Sequence, residues 1–391
     1  MANTNLTADL VLKEAKRIFK NNCPFITSMQ RSYDDSFQAH GAMAGESIRI
    51  RKPMKYTTRS GKTMSVQNNT ETAATLTKST WRGVDLKFSQ KELSLDLNRF
   101  SELYIAPAMA VLASTVEQIC MTAAYQQSHQ AITLPVTAFD RADIILARTM
   151  LNEMSTPQSD RYAIINPDTE GDILNANSGL FNPQQIISRQ YTEGEIGKAY
   201  GFDFAQTPNV PSLTISADTS GTVNGAGQTG STLTVTGLTA AFTEGMKFTI
   251  GDDVFALNPV TQASTGRLQV FTVGSGATTT SIPITPAITV TGNQKTVSAT
   301  PDNSDTLNVV GTATVAYPQN LFYNKMAHAF GTADLEMPKG LDFAARNTED
   351  NLSMSIMRDF DIINADTYCR IDILFGFVTV SPEWSVVGYG V

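Results

Sequence analysis

Cysteine, histidine, tryptophan and charge are all scarce in this chain of 391 residues. The three cysteines, Cys23, Cys120 and Cys369, lie far apart with no CxxC pair. That speaks against a disulfide framework and against a thiolate zinc site, and it fits a reducing compartment. The three histidines, His40, His129 and His328, each stand alone in sequence, which argues against a metal site or a catalytic triad built on them. Charged residues make up only 17% of the chain against 41% hydrophobic. Uncharged Thr, Ser, Asn and Gln fill the gap, so the chain is no disordered polyelectrolyte. No run of eighteen or more apolar residues occurs, so no membrane-spanning helix is expected. Met1 to Leu12 lacks a basic segment followed by an apolar core, so no signal peptide is expected. Acids outnumber bases 37 to 29, a net charge of -8, which argues against a general nucleic-acid binder. P-loop, GxSxG, HExxH and EF-hand patterns are absent,. Gly225-Ala226-Gly227 has no helix after it and is no dinucleotide loop. The sequence therefore predicts no catalytic residues, no cofactor and no metal.

What is present is strongly regional, and the length suggests two or three domains. Near the N-terminus, Leu10, Val11, Ala15, Ile18 and Phe19 recur at helical spacing after a capping Thr7, and Asn21-Asn22 and Pro24 end the helix. Such a stripe must dock on the chain's own core or on a neighbouring chain. Ile48 to Arg51 alternates apolar and basic as a strand does, and Trp81 to Phe88 reads as its partner. Between them Thr57 to Thr75 is polar, so the segment reads as a long hairpin with a polar, mobile tip. Residues 31 to 90 hold ten Lys/Arg against five Asp/Glu, with Arg49, Arg51, Lys52, Lys55, Arg59 and Lys62 the densest group. A hairpin of this length is not stable alone in water. Its bases are either a solvated face or an ionic contact to an acidic surface of a neighbouring subunit. Nucleic acid is a weaker reading, because few aromatics interleave with the bases.

Ser89 to Glu92 forms a capping box. A helix from about Ser101 to Gln127 follows, with Ile105, Met109, Leu112, Val116, Ile119 and Ala123 on one stripe. It is the longest helical signal, and Cys120 beside the stripe reads as a small core residue. Asp140 caps a helix carrying Ile144, Ile145, Leu151 and Met154, and Arg161 to Ile165 is a short strand ended by Asn166-Pro167. Composition shifts at Pro208 to Pro211. Ser212 to Gly311 holds 22 Thr, 9 Ser and 12 Gly and no Tyr, Trp, Cys or His. Short strands are expected at 232–236, 246–250, 254–257, 267–273, 282–284 and 306–310, the signature of a small all-β barrel or sandwich inserted into a host domain. The lack of Trp and Tyr argues against a sugar-binding role for it. Asp252-Asp253 and Asp34-Asp35 read as solvated turn acids. Cys369 to Val378 is a strong strand, and Trp384 to Val391 is apolar enough to be packed.

In that order the parts resemble the major capsid (coat) proteins of tailed bacteriophages, in particular the short-tailed-phage type with an inserted β-barrel domain. Asn166-Pro167-Asp168 is similar to the family's strand-to-helix turn, and Gly201 to Phe204 through Thr207 to Pro211 to the approach to the insertion. Gly245 to Ile250, Val254-Phe255 and Gln269 to Val273 resemble barrel strands, and Cys369 to Ile371, Phe375 to Phe377 and Pro382-Glu383 the closing strand. The resemblance implies an α+β phage major-capsid fold: an N-terminal helical arm (1–30), an extended β-hairpin loop with flanking strands (31–88) and a spine-helix, peripheral domain (89–139). An axial α/β domain (140–211), the inserted barrel (212–311) and a return through axial and peripheral domains to a C-terminal strand (312–391) complete it.

The implied function is a shell subunit forming hexamers and pentamers around double-stranded DNA, without sequence-specific binding and without a membrane. A scaffolding protein and a portal are the implied partners, and the shell would form as a precursor in the host bacterial cytoplasm and expand. Arm and loop would lie on neighbours, which makes Leu10, Phe19 and the six bases contact candidates. A charged barrel loop reaches across two-fold contacts in relatives; here it is either Gln262 to Arg267 or the Asp252-Asp253 turn. Some members crosslink a loop lysine to a neighbour's asparagine; Lys62 is the lysine on offer, and the sequence identifies no acceptor. Outside that class, a tail or decoration protein is at odds with the long helix, an adhesin with the missing signal peptide. An enzyme has only the chain's size in its favour.

Overall fold

The computed structural model describes residues 8–31, 47–64, 66–67, 71–89, 105–132, 138–176, 196–336, 338, 340, 343–349, 351–362 and 366–390. The capping box at Ser89 to Glu92, Asp34-Asp35 and His40 fall outside them, apart from the backbone of Ser89. The chain forms two compact units, each assembled from three stretches of sequence: Met1–Ile50, Ala74–Cys120 and Ala329–Val378 in one, Arg51–Ala73, Met121–His328 and Thr379–Val391 in the other.

The first unit is built on a sheet in which Asp366–Thr379 is the central strand. It pairs antiparallel with Leu352–Asp361 and with Thr80–Ser89 and neighbours His328–Ala333, and Phe343–Glu349 extends the sheet beyond Leu352–Asp361. The register Trp81↔Leu374, Asp85↔Arg370 corrects the expectation that Trp81 to Phe88 pairs with Ile48 to Arg51. The partner of Ser47–Arg51 is instead Ala73–Thr77. The hairpin is thus shorter than the sequence suggested, and its outer strand belongs to a different sheet. Helix Ala8–Asn22 packs on the strands Phe343–Glu349 and Leu352–Asp361. Ala15, Phe19 and Cys23 are fully buried there, so of the two docking options the helix takes its own core. Gly376 lies against the backbone of Thr77: a side-chain carbon there would run into the Thr77 carbonyl.

Helix Ala106–Gln127 carries Ile105, Met109, Leu112 and Val116 on a buried stripe as read from the sequence. In its later turns the buried positions are Cys120, Met121 and Ala124, and Ile119 and Ala123 are only half-buried. A strict 4-3-4-3 step tracks a period of 3.5, while the real helix turns every 3.6 residues, so the predicted stripe drifts off the buried face.

The second unit holds a mixed sheet in the order Gln130–Ile132, Ser385–Tyr389, Ala316–Asn324, Arg161–Ile165, Phe202–Gln206, Lys198–Ala199. Every residue of Ser385–Tyr389 is buried. Helix Arg141–Glu153 begins at a capping box in which Asp140 and Asp143 satisfy each other's backbone N–H groups,. Phe322 anchors the core, stacked on Phe139 at 5.8 Å and edge-on to Phe202 at 5.5 Å.

The Thr-rich segment leaves and rejoins this sheet at one place: Ser212–Thr214 pairs with Ala316, Tyr317 and Pro318. Within it six strands run in the order Leu307–Val309, Lys247–Ile250, Phe271–Val273, Ser281–Ile288, Gly230–Thr236, Thr222–Val223. The outer two strands meet through a Thr222–Thr306 bridge and backbone bonds Val223 N–Asp305 O and Leu307 N–Gly221 O, both 2.9 Å. The barrel is closed. Leu233, Val235, Phe248, Phe271, Ile282 and Ile284 point inward while Thr232, Thr234 and Thr236 face out, so the threonines are the outer half of a period-two pattern. The expected strand over 267–273 is in fact two. Ser264–Leu268 pairs with Phe255–Leu257 in a separate two-stranded sheet, and only Phe271–Val273 belongs to the barrel.

Candidate functional site

The basic segment begins on a strand and runs out of regular structure. Arg49 and Arg51 are exposed on either side of the buried Ile50, and Arg51 pairs with Glu71 at 2.9 Å. The Lys52 N–H reaches Thr72 O at 2.9 Å, after which the two chains part. Gln67 spans the loop by accepting from Thr57 N at 2.9 Å. The Arg59 guanidinium donates to the carbonyls of Gly61 and Thr63. Lys62 is exposed. The loop is less polar than its composition suggested: Met54, Tyr56, Met64 and Val66 are 39%, 57%, 77% and 77% exposed. Lys52 and Lys55 are half-buried, and burial lowers the Lys52 pKa against the opposing pull of Glu383.

Three sets of polar contacts dock the barrel within its own unit. Lys247 is fully buried and donates to Tyr125 O at 2.7 Å, Ser128 O at 2.6 Å and Thr272 Oγ1 at 2.7 Å. An ammonium has three donors, and here each has an acceptor. Two of those acceptors are carbonyls at the C-terminal end of Ala106–Gln127, where the helix leaves carbonyls without partners and concentrates negative potential. Burial nevertheless pushes the lysine's pKa well below its usual value. Gly245, at φ +88, brings the barrel backbone so near the helix that a Cβ would stand 2.6 Å from the Tyr125 ring,. Arg267 forms an ion pair with Glu153 at 2.7 Å, and Asn258 donates to Ser155 Oγ at 2.9 Å and to the Glu153 carbonyl. Asn293 reaches Lys55 O and Gln67 Oε1, both at 3.5 Å.

These contacts sort the predicted site residues. Arg267 spends its charge within the chain, and Phe19 lies in its own core. Leu10 is on the first helix, with its side chain outside the described residues. Asp252 and Asp253 are exposed in the turn between Lys247–Ile250 and Phe255–Leu257. Partial burial and the neighbouring Asp305 and Asp302 raise the Asp253 pKa. Arg49, Arg51, Arg59 and Lys62 remain on the surface. Lys247 escaped the sequence reading. Alternation along Met246 to Ile250 turns it away from the barrel interior, but no sequence signal says that a helix end, not water, covers that face.

A second exposed feature belongs to the first unit. Arg370 lies 5.7 Å from the Trp81 ring and pairs at 2.6 Å with Asp372, a carboxylate with no exposure. Beside it Lys87 pairs with Asp366 at 2.7 Å over the Tyr368 ring. Trp81 and Tyr368 are nearly half exposed. Reactive groups are poorly set up elsewhere. Burial pushes the Cys369 thiol up to about 11 and holds Cys23 and Cys120 higher still, so none is poised as a thiolate. Burial lowers His328 to about 3. Among the described residues no group of His, Cys, Asp and Glu could hold a metal, and no helix is long and apolar enough to cross a membrane.

The sequence profile described as P22 coat protein, gene protein 5, matches residues 1–390. The chain belongs to the P22 coat protein family. This coat protein is 23% identical over 378 residues to the major capsid protein of Acyrthosiphon pisum secondary endosymbiont phage 1, covering 87% of this chain and 88% of that one. Its fold is similar to a solved chain of Mycobacterium phage Che8, with a TM-score of 0.51, 11% identity and coverage of 94% and 90% of the two chains. A chain from the capsid structure of cyanophage P-SCSP1u matches at a TM-score of 0.47 and 12% identity, over 89% and 84%. The coat protein is a major capsid protein of the tailed-phage type, an α+β structural subunit of an oligomeric shell and a component of the virion. Its family is a structural capsid family, not an enzyme family.

Proposed function

We propose that the coat protein builds its shell as hexamers and pentamers in a precursor organised by a scaffolding protein, with a portal at one vertex. Assembly takes place in the host cytoplasm, and the shell expands as double-stranded DNA enters. The observation that carries this reading is the loop between Lys52 and Thr72. It presents Met54, Tyr56, Met64 and Val66 to solvent beside Arg59 and Lys62. Exposed apolar groups clustered with cations on one loop gain stability when another subunit covers them. Many weak contacts of this kind suffice, because every subunit makes several at once. An acidic chain of net charge -8 encloses DNA without sticking to its phosphates.

The test is expression with and without the candidate scaffolding protein, read by sedimentation velocity and negative-stain electron microscopy. Closed shells or curved sheets are the expected product. A monodisperse monomer at high concentration with scaffold present would overturn the reading. Removing residues 1–22 is a poor probe of contacts, because Ala15 and Phe19 belong to the chain's own core.

A further inference from the structure

The sheet of the first unit ends in a long open edge. Thr80–Ser89 pairs with Asp366–Thr379 over ten residues, Thr80↔Phe375 through Ser89↔Asp366, with no shift of register. Among the described residues no strand lies on its other side. Backbone N–H and C=O groups along such an edge are a template for one more strand. Chains usually blunt an edge with proline, a bulge or short length. This strand has no proline and no break in its pairing. The opposite edge of the sheet, Phe343–Glu349, has only seven residues, and the first helix packs on it.

Charge alone guards the open edge: Arg82, Asp85 and Lys87 are exposed. Such a guard repels an incoming strand only when that strand sets like charges opposite. One approach sets unlike charges opposite instead. A two-fold axis perpendicular to the sheet, passing beside Leu86, lays a second copy of the strand antiparallel to the first. Leu86 then faces Leu86, Asp85 faces Lys87, Lys87 faces Asp85, and Val84 faces Phe88. Moving the axis by one residue sets Asp85 against Asp85 or Lys87 against Lys87. An axis at Val84 sets Arg82 against Leu86 and Asp85 against Gly83, which leaves both charges unmatched. In the favoured register both groups have capacity to pair. The Asp85 side chain is 81% exposed and its contact with Arg370 is long, 3.8 Å. The Lys87 side chain is 57% exposed, and its bond to Asp366 uses one of three ammonium donors,.

We infer that Thr80–Ser89 is a docking edge for the same strand of a second copy of the chain, joined antiparallel about Leu86 with two Asp85–Lys87 pairs. One patch meets itself, so the contact is isologous and closes on two subunits, and it carries the sheet of one into the sheet of the other. Backbone bonds supply the adhesion, and the charges fix the register. The inference rests on the assembly reading above and names one contact within it.

The test uses the full chain under conditions where the parent forms shells. Asp85→Lys and Lys87→Asp each set like charges opposite across the axis, and each alone should lower the assembled fraction about tenfold. Mixed in equal amounts, each variant supplies the charge the other lacks, so shells should return and contain both chains. Neither variant is compensated within its own chain, so lost contacts to Arg370 or Asp366 cannot produce this rescue. Position is read separately. Leu86→Cys, oxidised in assembled shells, should give a covalent dimer, because opposite residues stand about 5 Å apart. Arg82→Cys, farther from the axis, should not, and the native cysteines are all buried. Circular dichroism establishes that each variant is folded. If a charge reversal unfolds the chain, Asp85→Asn should show a smaller loss in the same direction. Parental assembly by either folded charge variant, no rescue on mixing, or Leu86→Cys shells that stay monomeric on a non-reducing gel would overturn the contact while leaving shell formation intact. A parent chain that forms no shells with scaffold would defeat the assembly reading itself, and the contact with it.

Discussion

The barrel and the basic loop are both excursions of the chain's second unit, and they manage exposed surface in opposite ways. The barrel closes its six-stranded sheet and turns its apolar side chains inward beneath threonines,. Where it meets its host it does so through buried, fully matched polar bonds at Lys247. The loop does none of this. Its hairpin ends at Arg51 and Ala73, and beyond them Tyr56, Met64 and Val66 face water. The difference separates two uses of sequence: the barrel's apolar residues are covered within the monomer, and the loop's Tyr56, Met64 and Val66 are left exposed.

The sharpest way to break the comparison is from the barrel's side. Phe248→Ala empties the centre of a packed cluster with Phe242 at 5.9 Å and Phe271 at 6.0 Å. It should cost about 3–5 kcal/mol in denaturant unfolding. Next comes Lys247→Met, which keeps the length of the side chain and strips the ammonium from the Tyr125 carbonyl, while the Ser128 carbonyl keeps the Thr272 hydroxyl at 2.7 Å. A loss of roughly 1–3 kcal/mol per unpaired group is expected, with faster hydrogen exchange in the last turn of Ala106–Gln127. A cost below a few tenths of a kcal/mol would mean that water replaces the ammonium.

Acid should act on the barrel before the loop. Asp218 accepts from the backbone and hydroxyl of both Ser220 and Thr239, and these bonds hold its carboxyl far below the usual carboxylate range. A depressed folded-state pKa means that this stabilisation is complete above the ordinary aspartate pKa of about 3.9 and drains away as pH falls below it. Asp218→Asn should flatten the acid limb of a stability–pH curve; an unchanged limb would assign the acid sensitivity elsewhere. The smallest effect is on the loop. Met64→Ser with Val66→Ser should move monomer stability by less than about 0.5 kcal/mol while lowering shell yield. Normal yield would remove those two side chains from the contact.

What could be read from sequence followed the range of the interaction. The Asp140 cap, the helix it opens and most barrel strands depend on neighbours a few residues away, and their patterns were legible. The partner of Ile48 to Arg51 was not, because strand pairing joins distant segments and Trp81 to Phe88 alternates well enough to suit either sheet. Gly376 gave no sign of its role, since only the crossing at Thr77 makes a side chain impossible there. The six bases of this segment were found by counting charge, but counting could not tell Arg51, exposed and paired with Glu71, from the half-buried Lys52 and Lys55. Arg267 shows the same limit: its charge was visible and its partner Glu153, far off in sequence, was not.

The pairing of Thr214 with Ala316 and of Ser212 with Pro318 has an evolutionary consequence. Paired residues on adjacent antiparallel strands lie only about 5 Å apart, so the whole barrel hangs from two neighbouring points and a short turn could span the gap it would leave. Gene rearrangement could gain, lose or exchange such a cassette without rethreading the host sheet. What ties this cassette to its host is therefore not topology but side-chain contacts such as those of Lys247, Arg267 and Asn258, and any substitute would have to bring its own.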